Sequence, residues 1–103
     1  MNDYHPPREA LQLTDVLVAL GNPIRMQVLR QLARGACACG AIHTGVTKST
    51  MTHHWRVLRE AGVITQTPIG REIRICLRRD DLEARFPGLL AVTVDAVEAE
   101  AVA

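Results

Sequence analysis

Apolar positions along this chain change period several times, and each change marks an element. Residues 9 to 20 are apolar on nearly every side, with Leu11, Leu13, Val16, Leu17, Val18 and Leu20, which predicts a helix that must be covered over most of its circumference. Before it, residues 1 to 8 contain Pro6 and Pro7, lack a period, and read as a flexible N-terminal arm. Asn22 followed by Pro23 is a helix start, because an Asn side chain can accept from the first free N–H groups and proline at the first position has no N–H to leave unpaired. Ile24, Val28, Leu29 and Leu32 then face inward, and Gly35 ends the helix. Residues 38 to 44 make at most a short third helix, and Gly45 with Val46 forms a turn.

Thr47 is the next predicted N-cap, opening a helix over about 48 to 61 that stops at Gly62. Residues 63 to 68 and 73 to 77 read as strands joined through residues 69 to 72, a hairpin spanning about 63 to 77. Within it Ile73, Ile75 and Leu77 are expected to face inward and Arg74 and Cys76 outward. Asp80 or Asp81 caps a short turn that ends at Pro87 and Gly88, and a last helix covers about 89 to 102. Helix, helix, turn, helix, hairpin, helix is the order of a winged helix-turn-helix domain, mainly α with a small β-hairpin, occupying residues 9 to 103.

The first and last helices carry more apolar surface than one small core absorbs. We therefore expect a homodimer through residues 9 to 20 and 89 to 102, with Leu13, Val16, Leu17, Leu90, Val94 and Val97 at the interface. At 103 residues the chain is one domain with a modest core. Its 48% hydrophobic and 22% charged residues exclude a disordered segment.

A formal charge of +1 hides an asymmetry. Residues 48 to 79 hold Lys48 and six arginines against Glu60 and Glu72, whereas residues 80 to 103 hold six acidic residues against Arg85. Positive charge is concentrated where a polyanion would dock. On the helix after Thr47, Met51, Trp55 and Leu58 form one face with His54 and Ala61 beside it. Lys48, Ser49, Thr50, Thr52, His53 and Arg56 are left for the other side. Short polar groups at the N-terminal end of a helix suit base edges, and the positive end of the helix dipole suits phosphate. His54 is expected to be packed and hydrogen-bonded. Arg71 at the hairpin tip and Arg74 on its outer face can reach phosphates or the minor groove. A merely solvated polar face is the plainer reading of such a stripe, but the preceding turn and the basic hairpin favour double-stranded DNA.

Two stretches resemble the ArsR family of bacterial winged-helix repressors. Residues 20 to 32, LGNPIRMQVLRQL, are similar to its L-x-[DN]-P-x-R-x-x-I-L-x-x-L segment, and residues 49 to 64, STMTHHWRVLREAGVI, to its S-T-V-S-H-H-L-x-x-L-R-E-A-G-L-V signature. The hairpin with Gly70 and Arg71 matches its wing. The resemblance covers roughly residues 11 to 79. It implies a homodimer that binds an operator with inverted symmetry, blocks transcription, and lets go when an effector binds or modifies it.

The three cysteines admit several readings. Many members of the family sense metals through a Cys-x-Cys pair that Cys37 and Cys39 resemble. In a helix, however, residues two apart point about 200° from each other, and Ile42 stands where a third thiolate is expected. No metal site is therefore assigned, and buried structural cysteines are the alternative. Cys76, flanked by Arg74 and Arg78, has surroundings that lower a thiol's pKa, so a redox switch on the wing is a further reading.

No nucleophile, base and orienting group share a sequence context, which argues against an enzyme, and no cofactor is called for. No segment reads as a leader or is apolar enough to cross a bilayer, and three cysteines fit a reducing, cytoplasmic setting. The leading expectation is a sequence-specific DNA-binding regulator, a repressor released from an inverted-repeat operator by an unknown effector. Its rivals are a redox- or soft-metal-responsive version of the same repressor, and a winged-helix module that binds only proteins.

Overall fold

The computed structural model describes residues 4–35, 37–39 and 42–102, with 37–39 described as backbone. After a single 3-10 turn at Arg8–Ala10, helix α1 (Leu13–Leu20) and helix α2 (Pro23–Ala33) follow in close succession. The side chain of Asn22 accepts from the backbone N–H of Ile24 at 2.9 Å and of Arg25 at 3.2 Å, the cap that the Asn-Pro pair predicts. A short strand β1 (Cys37–Cys39) leads through the turn at Gly45 to helix α3 (Lys48–Ala61). Strands β2 (Ile64–Ile69) and β3 (Glu72–Leu77), helix α4 (Arg79–Arg85) and helix α5 (Leu89–Val102) complete the fold.

The wing is a tight hairpin. Ile64 pairs with Leu77 and Ile69 with Glu72, which leaves Gly70 and Arg71 as the turn. Gly70 takes a φ of 61°, a conformation that suits glycine. β1 adds to the other edge of β3, giving a three-stranded antiparallel sheet in the order β1-β3-β2. The short third helix expected over residues 38 to 44 is not formed in the described part: Cys37–Cys39 is strand, and residues 42 to 44 are irregular. Strand pairing with β3 overrides a weak local pattern there. Residues 40 and 41 lie outside the described residues.

The core lies where α1, α2 and α3 meet the base of the hairpin. Val16, Val28, Leu29, Leu58, Val63 and Ile64 are fully buried, each side chain stabilising the fold by about 1.5–3 kcal/mol. Ile73, expected inward, is instead exposed, because the wing projects past the core before its inner face meets anything.

Four sets of side-chain contacts tie the periphery down. Asp81 accepts from Arg8 Nε at 2.7 Å and from Arg78 Nε at 2.9 Å, and Arg78 also donates to the Pro6 carbonyl at 2.7 Å. His5 Nε2 accepts from the Gln66 backbone N–H at 3.0 Å. Residues 5 to 8, expected as part of a loose arm, are thus held against the wing and α4; residues 1 to 3 lie outside the described residues. Neither Asp80 nor Asp81 caps α4, whose N-cap is Arg78 without a side-chain hydrogen bond, since the Asp81 carboxylate is turned to the two arginines. Arg79 donates to the carbonyls of Leu32, Ala33 and Gly35, satisfying the C-terminal end of α2. Glu98 of α5 accepts from Arg30 at 3.0 Å and from Arg34 at 3.2 Å, pinning the last helix to α2.

Candidate nucleic-acid interface

Helix α3 is amphipathic with a sharp boundary between its faces. Met51, His54, Leu58 and Ala61 are buried, and Trp55 packs half-buried against the core. Lys48, Ser49, Thr50, Thr52, His53 and Arg56 are all exposed. The Thr47 hydroxyl accepts from the Thr50 backbone N–H at 3.2 Å, so the first turn is fixed by its own sequence. Thr47 Oγ1 also donates to Thr50 Oγ1 at 3.0 Å and lies 3.2 Å from Ser49 Oγ, while Thr52 Oγ1 donates to the Lys48 carbonyl at 3.1 Å. His53 Nδ1 lies 3.4 Å from Arg56 NH2, an exposed imidazole beside a guanidinium. All of these partners are local, so the face presents short, pre-positioned donors and acceptors together with two cationic side chains.

The other end is set by Gly62, whose φ of 89° reverses the chain into β2. A Cβ at this position would meet the buried Leu11 side chain, so the turn needs glycine for both conformation and space. Arg59 NH1 donates to Gln66 Oε1 at 2.7 Å and joins the last turn of α3 to the wing.

Beneath the exposed face, His54 meets a buried guanidinium. Arg25 NH1 lies 3.1 Å from His54 Nδ1, and the same Arg25 donates through Nε to the Ala19 carbonyl at 2.5 Å and through NH2 to the Val18 carbonyl at 3.4 Å. Arginine has only donors, so Nδ1 of His54 must accept and the imidazole is neutral with its proton on Nε2. Burial pushes the His54 pKa below its ordinary value, and the charge of Arg25 and then His53 act in the same direction. Sequence reasoning expected a packed, hydrogen-bonded His54. Its partner was missed, since a residue of α2 satisfying the last carbonyls of α1 has no local pattern to announce it.

On the wing, Arg71 at the turn and Arg74 on β3 are exposed as expected, and the tip residues Ile69 and Ile73 are exposed with them. Cys76 is half-buried and disulfide-bonded.

The residues expected at a subunit interface divide into two groups. On α1, Leu13 and Leu17 are exposed, and Val18 is exposed further, at 65%. Val16 is 0% exposed and belongs to the subunit's own core, which corrects its assignment to an interface; α1 turns that side toward α2 and α3. On α5 no residue is buried. Leu90 and Val94 nevertheless pack against the core and line a groove of about 360 Å³ with Ala33, Arg79 and Glu83, and Val97 is half-buried. The large apolar side chains of α5 that stand open are Val92, at 69%, and Val102, at 80%.

Residues 20–67 match the family model described as a helix-turn-helix domain. The HTH-type transcriptional regulator CmtR of Mycobacterium bovis and of Mycobacterium tuberculosis is 37% identical over 84 residues, which is 80% of this chain and 70% of the relative. YceK of Bacillus subtilis, an uncharacterised HTH-type transcriptional regulator, is 28% identical over 79 residues, 73% of this chain and 79% of the relative. The crystal structure of an ArsR family transcriptional regulator, RHA00566, superposes with a TM-score of 0.61 at 23% identity, covering 94% of this chain and 91% of the other, a likeness of fold.

Proposed function

This chain belongs to the ArsR family of winged helix-turn-helix, DNA-binding transcriptional regulators, and on that premise we propose that it acts as a homodimeric repressor of an inverted-repeat operator. α3 enters the major groove. Thr52 and His53 read base edges, while Lys48, Ser49, Thr50 and Arg56 hold phosphates at the groove's rim. Arg71 and Arg74 on the wing contact the adjacent backbone or minor groove. The observation that carries this reading is the division of α3, whose Lys48, Ser49, Thr50, Thr52, His53 and Arg56 are exposed while Met51, His54 and Leu58 are buried.

Two copies of α3 must be spaced about one helical turn of DNA, roughly 34 Å, to meet two half-sites. The open apolar side chains Leu13, Leu17 and Val18 on α1 and Val92 and Val102 on α5 supply a surface for that pairing. Such a dimer leaves the wings and recognition helices for DNA. Release from the operator follows when an effector changes the relative placement of the two subunits or of the wing.

The test is retardation of a duplex from the protein's own promoter, titrated with salt. A repressor of this kind gives a steep fall of affinity with salt and a complex containing two chains. Equal, weak retention of every duplex would leave only non-specific attraction, and no retention at all would favour a module that binds proteins.

A further inference from the structure

The strand register brings the positions of all three cysteines to one face of the sheet. Cys37 and Cys39 are two residues apart in β1, and residues two apart in a strand share a face, whereas a helix would have separated them by about 200°. Across the ladder, the Cα partner of Cys37 is Cys76 on β3, and that of Cys39 is Arg74. Cys76 is disulfide-bonded. A directly opposed antiparallel pair has Cα atoms about 4.5–5.5 Å apart, the separation a disulfide needs, while a diagonal neighbour lies about 7–8 Å away. Opposition therefore favours Cys37 over Cys39 as the second sulfur. Arg74, two residues before Cys76 on the same strand and exposed, adds a positive charge to this face.

We propose that Cys37 and Cys76 form a reversible thiol–disulfide pair, closed by peroxide, that locks the wing to the segment leading into the recognition helix. It rests on the DNA-binding reading above and gives that repressor a modification site. One thiolate of the pair attacks a peroxide oxygen; the O–O bond breaks, an S–O bond forms, and water leaves. The second thiolate attacks the resulting sulfenic sulfur and expels the hydroxyl as water, so two thiols and one hydrogen peroxide give a disulfide and two waters. A dithiol reductant reverses the step by exchange, taking up the oxidation itself.

The consequence follows from topology. β1 is three residues long and leads through residues 40 to 47 into α3, and β3 carries one side of the wing with Arg74. Three residue pairs are a weak ladder by themselves. Closed, the disulfide fixes Arg71 and Arg74 relative to α3 before DNA arrives. Open, that arrangement must be ordered on docking, so the reduced protein binds its operator more weakly, by roughly tenfold.

The full chain is reduced with dithiol, freed of reductant under argon, exposed to hydrogen peroxide, and assayed both for titratable thiols and for operator affinity. Three thiols are expected to fall to one without intermolecular cross-links on a non-reducing gel, with affinity rising roughly tenfold and returning on reduction. Cys39→Ser keeps this response; Cys37→Ser, Cys76→Ser and Cys76→Ala lose it while retaining native circular dichroism. Several results overturn the proposal: closure that survives in Cys37→Ser, closure abolished by Cys39→Ser, or equal affinity of the oxidised and reduced forms. So does a cadmium(II) charge-transfer band needing all three cysteines in a protein whose thiols ignore peroxide, which identifies a soft-metal site instead. If neither form binds any duplex, the repressor reading fails, while the thiol count still decides whether the pair closes.

Discussion

At the scale of single residues, Gly62 and His54 carry the most consequence. Gly62 closes α3 in a conformation that L side chains avoid, and its missing side chain leaves the space that Leu11 fills. Gly62→Ala is expected to cost about 2–4 kcal/mol, combining backbone strain with overpacking, as measured by urea unfolding. For His54 the linkage sign is set by its lowered native pKa. The unfolded chain binds a proton at higher pH than the native one does, so the contribution of neutral His54 is complete above the ordinary pKa near 6.5 and is lost as pH falls below it. The melting temperature is expected to drop between pH 7 and pH 5 in the wild type and to drop less in His54→Asn; parallel curves would exclude the histidine. Asp81 and Glu98 titrate at lower pH, since hydrogen bonds from Arg8 and Arg30 respectively hold their carboxyl pKa values below the ordinary range, and their contributions disappear only in stronger acid. The caps at Asn22 and Thr47 and the glycine at position 62 were legible because caps are local. The Arg25–His54 contact was not, because it joins residues 29 apart in the chain through a guanidinium that also serves α1.

At the scale of elements, the proposed docking divides the work of binding between α3 and the wing. Removing one phosphate contact, as in Lys48→Ala or Arg56→Ala, is expected to weaken binding to every duplex and to reduce the salt slope by about one, with little change in unfolding free energy. Thr52→Ala or His53→Ala is expected instead to relax base preference by about 1–3 kcal/mol at one position while the slope stays in place. Competition between matched and mismatched duplexes at two salt concentrations separates these outcomes. The amphipathic period of α3 made its faces readable from the sequence, and the hairpin was readable too, although its turn is Gly70 and Arg71 alone where residues 69 to 72 were expected. β1 was not readable. Three residues carry too little periodicity to distinguish strand from helix, and their conformation is decided by the free edge that β3 offers.

At the scale of the whole molecule, two helices hold apolar surface that this subunit leaves open. If the proposed dimer forms through these helices, a double substitution, Val18→Glu with Val92→Glu, is expected to give a monomer by light scattering and to abolish tight operator retention, with less than about 0.5 kcal/mol change in the single chain, since both sites are exposed. A dimer that survives both charges would move the interface elsewhere. Among the described residues no helix is long and apolar enough to cross a membrane. The sequence by itself determined helices α1, α2, α3 and α5, the caps at Asn22 and Thr47, the polar face of α3 and the basic hairpin, because each depends on side chains within a turn or two of one another. Tertiary structure decided which apolar residues the subunit keeps. Val16 looks like Leu17 in a helical pattern, and only packing against α2 and α3 assigns it to the core, while Leu90 and Val94 stay half-buried at its edge. It also decided the company of the cysteines, since a strand places on one face what a helix would have set apart.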